Sequence, residues 1–102
     1  MNIDLEDIKV VNNIEGGRFE ARVGDQLAIL DYKHDGNTIR YIHTEVPETI
    51  ERHGIGSKIA RTALEFARVN NLEVIPQCPF VAAYIREHPE YRSLVREDSR
   101  YL

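Results

Sequence analysis

From Arg18 to Val23 apolar and polar residues alternate with the period of a pleated strand, and from Gly54 to Asn70 the apolar positions recur with the period of a helix. Arg18 to Val23 places Phe19, Ala21 and Val23 on one face and Arg18, Glu20 and Arg22 on the other. Gly24-Asp25 is a short turn, and Leu27 to Lys33 reads as a second strand. His34-Asp35-Gly36-Asn37 contains the Asp-Gly pair favoured in tight hairpins. Thr38 to Val46 is a third strand, rich in the β-formers Thr38, Ile39, Tyr41, Ile42, Thr44 and Val46. Its apolar residues fall on both faces, which predicts a central strand covered on both sides. A meander of three antiparallel strands is the simplest arrangement.

In the helical stretch Ile55, Ile59, Ala63, Phe66 and Ala67 form one stripe, widened by Ala60 and Leu64, with Lys58, Arg61, Glu65 and Arg68 mostly opposite. Asn70-Asn71 is a stop signal. Leu72 to Ile75 reads as a strand parallel to the third, because a crossover helix joins parallel strands. Pro76 and Pro79 end that strand, and Phe80 to Glu87 reads as a second helix with Pro79 at a permitted first position. Pro89 interrupts it, and Glu90 to Arg96 is a last short helix or turn. The fold class is therefore α+β with a mixed sheet. Near the N-terminus Asn12-Asn13 and Gly16-Gly17 are turn material, and Ile8 to Val11 reads as either a short strand or an arm. The polar run from Arg96 to Leu102 is expected to fray, so residues 1–17 and 97–102 are expected to be the loosely ordered parts of one domain spanning 1–102.

Chemistry concentrates where the third strand gives way to the helix. Gly54 and Gly56 allow close approach to the backbone, and the first helical N–H groups lack intrahelical partners at the positive end of the helix dipole. The stretch predicts a cradle for an anion. Its spacing excludes two nucleotide motifs. A P-loop needs four residues between its glycines followed by Lys and Ser or Thr, whereas one residue separates Gly54 from Gly56 and Ser57-Lys58 runs in reverse order. A dinucleotide fingerprint needs a third glycine where Ile59 stands. Taken alone, the motif also fits a helix that begins with glycines for packing.

Charge and composition narrow the partners. Thirteen Lys and Arg against seventeen Asp and Glu give a net charge of −4, which argues against nucleic acid. Cys78 is the single cysteine, so no internal disulfide framework exists and a reduced, cytoplasmic setting fits. No apolar run approaches a membrane span, and Met1 to Asp7 is acidic rather than signal-like. His34, His43, His53 and His88 show no ligand spacing, which predicts no metal.

The segments Arg18-Phe19-Glu20, Leu27 to Tyr32, His43 to Pro47, Gly54 to Lys58, Pro76 to Ile85 and His88-Pro89-Glu90-Tyr91 together resemble the acetyltransferases of the GNAT superfamily, in particular its minimal single-domain branch. The resemblance spans nearly all of residues 18–95. The run Cys78-Pro79-Phe80-Val81 followed by His88-Pro89-Glu90-Tyr91 is its most specific part. One departure stands out: Glu51 occupies the position where the superfamily usually has Gln or Arg, and Arg52 follows it. A carboxylate facing a pyrophosphate would repel it, so Glu51 is expected to point away.

The resemblance implies the GNAT fold and acetyl-coenzyme A as cosubstrate. Its pyrophosphate would sit on the N–H groups of about His53 to Lys58, through Gly54, Ile55, Gly56 and Ser57, with Arg52 or Lys58 adding a cation. Its pantetheine would pair with Thr44, Glu45 and Val46, and the strands would splay near Val46 and Pro76 to admit the thioester. A backbone N–H near Val46 would polarise the carbonyl. Candidates for proton work are Tyr84, His43, Glu45 and Cys78, each weighed against a packing role; His43 shares a strand face with Ile39 and Tyr41, where a satisfied, packed histidine is the commoner outcome. Cys78 and Pro79 stand where the thioester would lie, and Cys78 either lines the acetyl pocket or accepts the acetyl group first. Only Gly24-Asp25-Gln26 separates Val23 from Leu27, leaving no room for the acceptor-binding helices of larger members, so an open face is expected for a protein, peptide or small amine. A coenzyme A-binding module without catalysis is the alternative, and a monomer is the default.

Overall fold

A computed structural model describes residues 3–97 and 101–102. Five strands form one sheet in the order β1-β2-β3-β4-β5: β1 (Val10–Asn13), β2 (Arg18–Val23), β3 (Gln26–Asp35), β4 (Thr38–Glu45) and β5 (Glu73–Pro76). The first four are antiparallel neighbours, and β5 lies parallel to β4. Helix α1 (Ile55–Val69) makes the crossover, and α2 (Pro79–Glu87) follows β5. The expected meander, crossover and second helix are all present. Of the two alternatives for Ile8 to Val11, the strand is found: Val10 pairs with Ala21 and Val11 with Glu20. Ile8 is buried and Asp4 caps a 3-10 turn at Leu5–Asp7; of the stretch 1–17 expected to be loose, residues 1–2 lie outside the described ones. At the other end Arg96, expected to begin a frayed tail, donates its N–H to the Val74 carbonyl, and Val95 bridges to β5. Of that tail, residues 98–100 lie outside the described ones.

The stripe on α1 is the core seam. Ile55, Ile59, Ala60, Ala63, Leu64 and Ala67 are buried, and the alanines let the helix approach the sheet closely. Phe66 is half-buried and meets Phe19 edge-on at 5.6 Å between ring centres. Buried Tyr41 donates its hydroxyl to the Ala63 carbonyl, tying β4 to α1. Burial pushes the Tyr41 phenol well above its ordinary range. Below α1, Tyr91 donates to Glu65 at 2.8 Å, and Glu65 also accepts from Arg68. Burial, then this carboxylate, pushes the Tyr91 phenol up to about 12 from the ordinary 10.0. A raised folded-state pKa stabilises below the unfolded value and is lost above it. Stability is therefore expected to fall as pH rises from 10 toward about 12. Tyr91→Phe should flatten that fall, read from urea midpoints across this range.

Two expectations about β4 are corrected by its register. Tyr32 pairs with Tyr41 and Asp31 with His43, so Ile42 is an extra residue, a β-bulge. The bulge exchanges faces along the strand. Tyr41 opposes Tyr32, Thr44 opposes Leu30, and these four share the helix-covered face. His43 opposes Asp31 on the reverse face and is exposed. It therefore does not share a face with Ile39 and Tyr41. The apolar residues on both faces of β4 reflect this exchange rather than cover on both sides: Arg40 is half-buried, and His43 and Glu45 are exposed. The splay also opens earlier along β4 than expected. Pairing with β5 ends at Tyr41 and Pro76, where Pro76 has no N–H to continue a ladder. The Cys78 N–H then returns to the Tyr41 carbonyl at 2.8 Å, and β4 runs on to Glu45 without a β5 partner.

Candidate functional site

The segment between β4 and α1 is built to present a helix N-terminus. Pro47 leads into a 3-10 turn, Glu48–Ile50, whose Ile50 is fully buried and pins the loop to the core. Arg52 then takes a left-handed φ of 67° and Gly54 one of 81°. Two such residues so close reverse the chain and aim the start of α1 outward. Gly54 is the N-cap, no side chain caps the helix, and the first intrahelical bond runs from Lys58 N–H to the Gly54 carbonyl at 3.0 Å. The N–H groups of Ile55, Gly56 and Ser57 thus precede the hydrogen-bonded ladder and point along the positive end of the dipole.

The two glycines do different work. Gly54 is needed for its left-handed backbone. Gly56 is buried within the first turn, and a Cβ there would lie 3.0 Å from the Phe80 ring. Phe80, at the start of α2, is partly exposed and packs its ring tip against Gly56, where a side chain would require it to shift.

Two cavities meet at this tip, with Gly54 and Ser57 lining both. One, about 390 Å³, runs from Arg52, Ile55 and Gly56 past Phe80 to Val46 and Thr44 at the splayed end of β4. The other, about 670 Å³, follows α1 past Lys58, Arg61 and Thr62 to Tyr84 of α2, walled by Leu5 and Glu6. Glu51, expected to turn away from the cradle, lines the first cavity beside Arg52. The left-handed Arg52 folds the loop back and carries its neighbour with it.

The structure gathers most of the expected cofactor residues and separates the chemical ones. Thr44 Oγ1 lies 3.1 Å from Cys78 Sγ, joining β4 to the N-cap of α2 across the splay. Cys78 is 2% exposed and lies behind Thr44, which itself lines the first cavity. Pro79 is the exposed first residue of α2, and His53 is exposed on the loop. Tyr84 sits in the second cavity, its ring stacked on His88 at 3.9 Å, and burial raises its phenol, so it keeps its proton at neutral pH. His43 and Glu45 lie on the reverse face of the sheet. Sequence reasoning missed Leu5, Glu6 and Arg61 as walls, whereas Phe80, expected as core or pocket lining, lines the first cavity. Only Asp4-Leu5-Glu6-Asp7 carried a local signal, an Asp whose side chain accepts from the Glu6 N–H at 3.0 Å, and that says nothing about where the turn docks. Among the described residues no cluster of His, Cys, Asp or Glu could hold a metal, and no helix is long and apolar enough to cross a membrane.

Comparison with known proteins agrees with this architecture. Protein NATD1 of Xenopus tropicalis is 28% identical over 85 residues, covering 80% of this chain and 78% of that one. The mouse protein of the same name is 29% identical over 85 residues, with 80% and 77% covered. The solution structure of a GCN5-like protein from Staphylococcus aureus superposes with a TM-score of 0.69 at 23% identity, covering 94% of this chain and 95% of that one. That likeness carries the fold, a five-stranded mixed sheet with one parallel pair. Residues 18–94 match the model of the GCN5-related N-acetyl-transferase family, and they include β2 to β5, the glycine turn and both helices; the chain belongs to that family.

Proposed function

We propose that the protein binds acetyl-coenzyme A at the start of α1 and transfers its acetyl group to an amine. One observation carries this reading: an uncapped helix N-terminus opens into a cavity that ends at the splay between β4 and β5. The N–H groups of Ile55 to Ser57 supply the anion site for a pyrophosphate, and exposed Arg52 supplies a cation. Glu51 opposes it, which places the net attraction on the backbone dipoles. Beyond Tyr41 the β4 edge has no β5 partner, so its backbone suits the amides of an extended pantetheine arm. The arm's length carries the thioester toward Thr44 and Cys78. Family membership supports acetyl transfer as the reaction class.

In that reaction a neutral amine attacks the thioester carbonyl carbon, a C–N bond forms, the C–S bond breaks and the thiolate takes a proton. A backbone N–H near Val46 would stabilise the oxyanion. The Thr44 hydroxyl and Cys78 thiol stand at the arm's end, and Tyr84 is a protonated phenol on the neighbouring helix. The acceptor side is the reverse sheet face with His43 and Glu45, and the short Gly24-Asp25 turn leaves it free of an inserted helix. One feature favours the second reading, a binding module without catalysis: Tyr84 lines the second cavity, whereas Cys78 and His43 line neither of these two.

Titration with acetyl-coenzyme A should shift the amide resonances of Gly54 and Gly56 together. Free-thiol release with peptide lysines and polyamines then separates enzyme from module. Silent amides at both glycines would overturn either reading. Full transfer by Cys78→Ala would eliminate an acetyl-cysteine route.

A further inference from the structure

We infer that the N-terminal turn Leu5–Asp7 is an acidic strap across the anion cradle, one that weakens binding there and is displaced when an anionic ligand enters. The inference rests on the acetyl-coenzyme A reading and adds a regulation of that site. Three contacts carry it. The ammonium of Lys58, which lines the second cavity, donates to the Leu5 carbonyl. The Leu5 side chain covers one side of Gly54: a Cβ on that glycine would lie 3.0 Å from Leu5 Cδ1. Glu6 lines the same cavity as Lys58 and Arg61.

The strap therefore occupies the cradle in two ways. Its carbonyl holds the ammonium toward the N-terminal segment, while a phosphate on the Gly54 to Ser57 backbone would draw it the other way. Its carboxylate places a negative charge beside a site meant for negative charge. The segment is an ordered element with its own cap, Asp4 to the Glu6 N–H at 3.0 Å, anchored by buried Ile8. It is also a single turn, light enough to move without disturbing the sheet. Asp7, on the same turn, faces away: it lines a separate cavity with Lys9 and Arg22. That geometry provides an internal control, two acids on one turn of which only one faces the cradle.

The test uses the full chain and coenzyme A, with affinity from calorimetry and resonances of Leu5, Glu6, Gly54 and Gly56 followed in the same titration. Glu6→Gln should bind about three- to tenfold more tightly at low salt, with the gain shrinking as salt screens it. Asp7→Asn should bind like the parent. The Leu5 methyl and Glu6 amide signals should move with the same midpoint as Gly54. Gly54 and Gly56 moving while Leu5 and Glu6 stay still, with unchanged affinity in Glu6→Gln, would overturn the strap and leave the cofactor reading intact. Equal gains from Glu6→Gln and Asp7→Asn would reduce the effect to net charge and overturn the strap as well. No movement at either glycine would remove the cofactor reading and the strap with it.

Discussion

Gly54→Val is expected to lower stability by about 2 kcal/mol and to weaken coenzyme A binding by about tenfold or more. Gly54 holds φ at 81°, a backbone that β-branched residues disfavour most. Its substituent would also meet Leu5 and project where a ligand must approach the helix start. The two losses can be separated. Gly36 has a similar φ of 59° with open space around it, in the hairpin between β3 and β4. Gly36→Val should cost a comparable amount of stability and leave coenzyme A affinity unchanged. Thermal unfolding and calorimetry on both variants check this. Equal affinity in Gly54→Val and the parent would sink the assignment of the cradle.

Ile50→Ala is expected to cost about 2–4 kcal/mol, on the order of 10 °C or more in melting temperature for a chain of this size. Ile50 is fully buried although it sits in a connecting turn. Its side chain is the apolar anchor of the loop that sets Arg52 and Gly54 in their left-handed conformations. Removing it leaves a cavity and frees the loop at once. Coenzyme A affinity should therefore fall with stability. Ile50→Val, which keeps most of the anchor, should cost only about 1 kcal/mol and retain affinity. Unfolding in urea gives the first quantity and calorimetry the second. A fully stable Ile50→Ala would show that the turn is held from elsewhere.

The repeating parts of this fold were legible because each follows a local rule. Phe19, Ala21 and Val23 alternate, Asp35-Gly36 marks a hairpin, and Ile55 to Ala67 recur at helical spacing. A helix between two apolar strands then requires a parallel pair. The open helix start was legible for the same reason: Gly54 carries no capping side chain, so the first N–H groups of α1 precede the hydrogen-bonded ladder.

His43 shows where local rules stop. Alternation assigns it to the face of Tyr41, and nothing in the residues between announces that Ile42 is looped out of the ladder. A bulge is a property of two strands in register, so it exists only once β3 and β4 are paired. The splay is similar. Pro76 marks its end on β5, but its β4 partner, Tyr41, follows from parallel register rather than from any motif. The approach of Thr44 to Cys78, 34 residues apart, depends on both.

The sequence by itself determined the fold class, the order of elements from β2 to α2 and the glycines at the helix start, since periodicity and turn chemistry act within a few residues. Tertiary structure alone decided what surrounds that helix start. It placed Phe80 against Gly56, Leu5 over Gly54, Glu51 inside the cavity and His43 outside it. Those contacts join segments that packing and strand register bring together across the chain, and no local pattern encodes them.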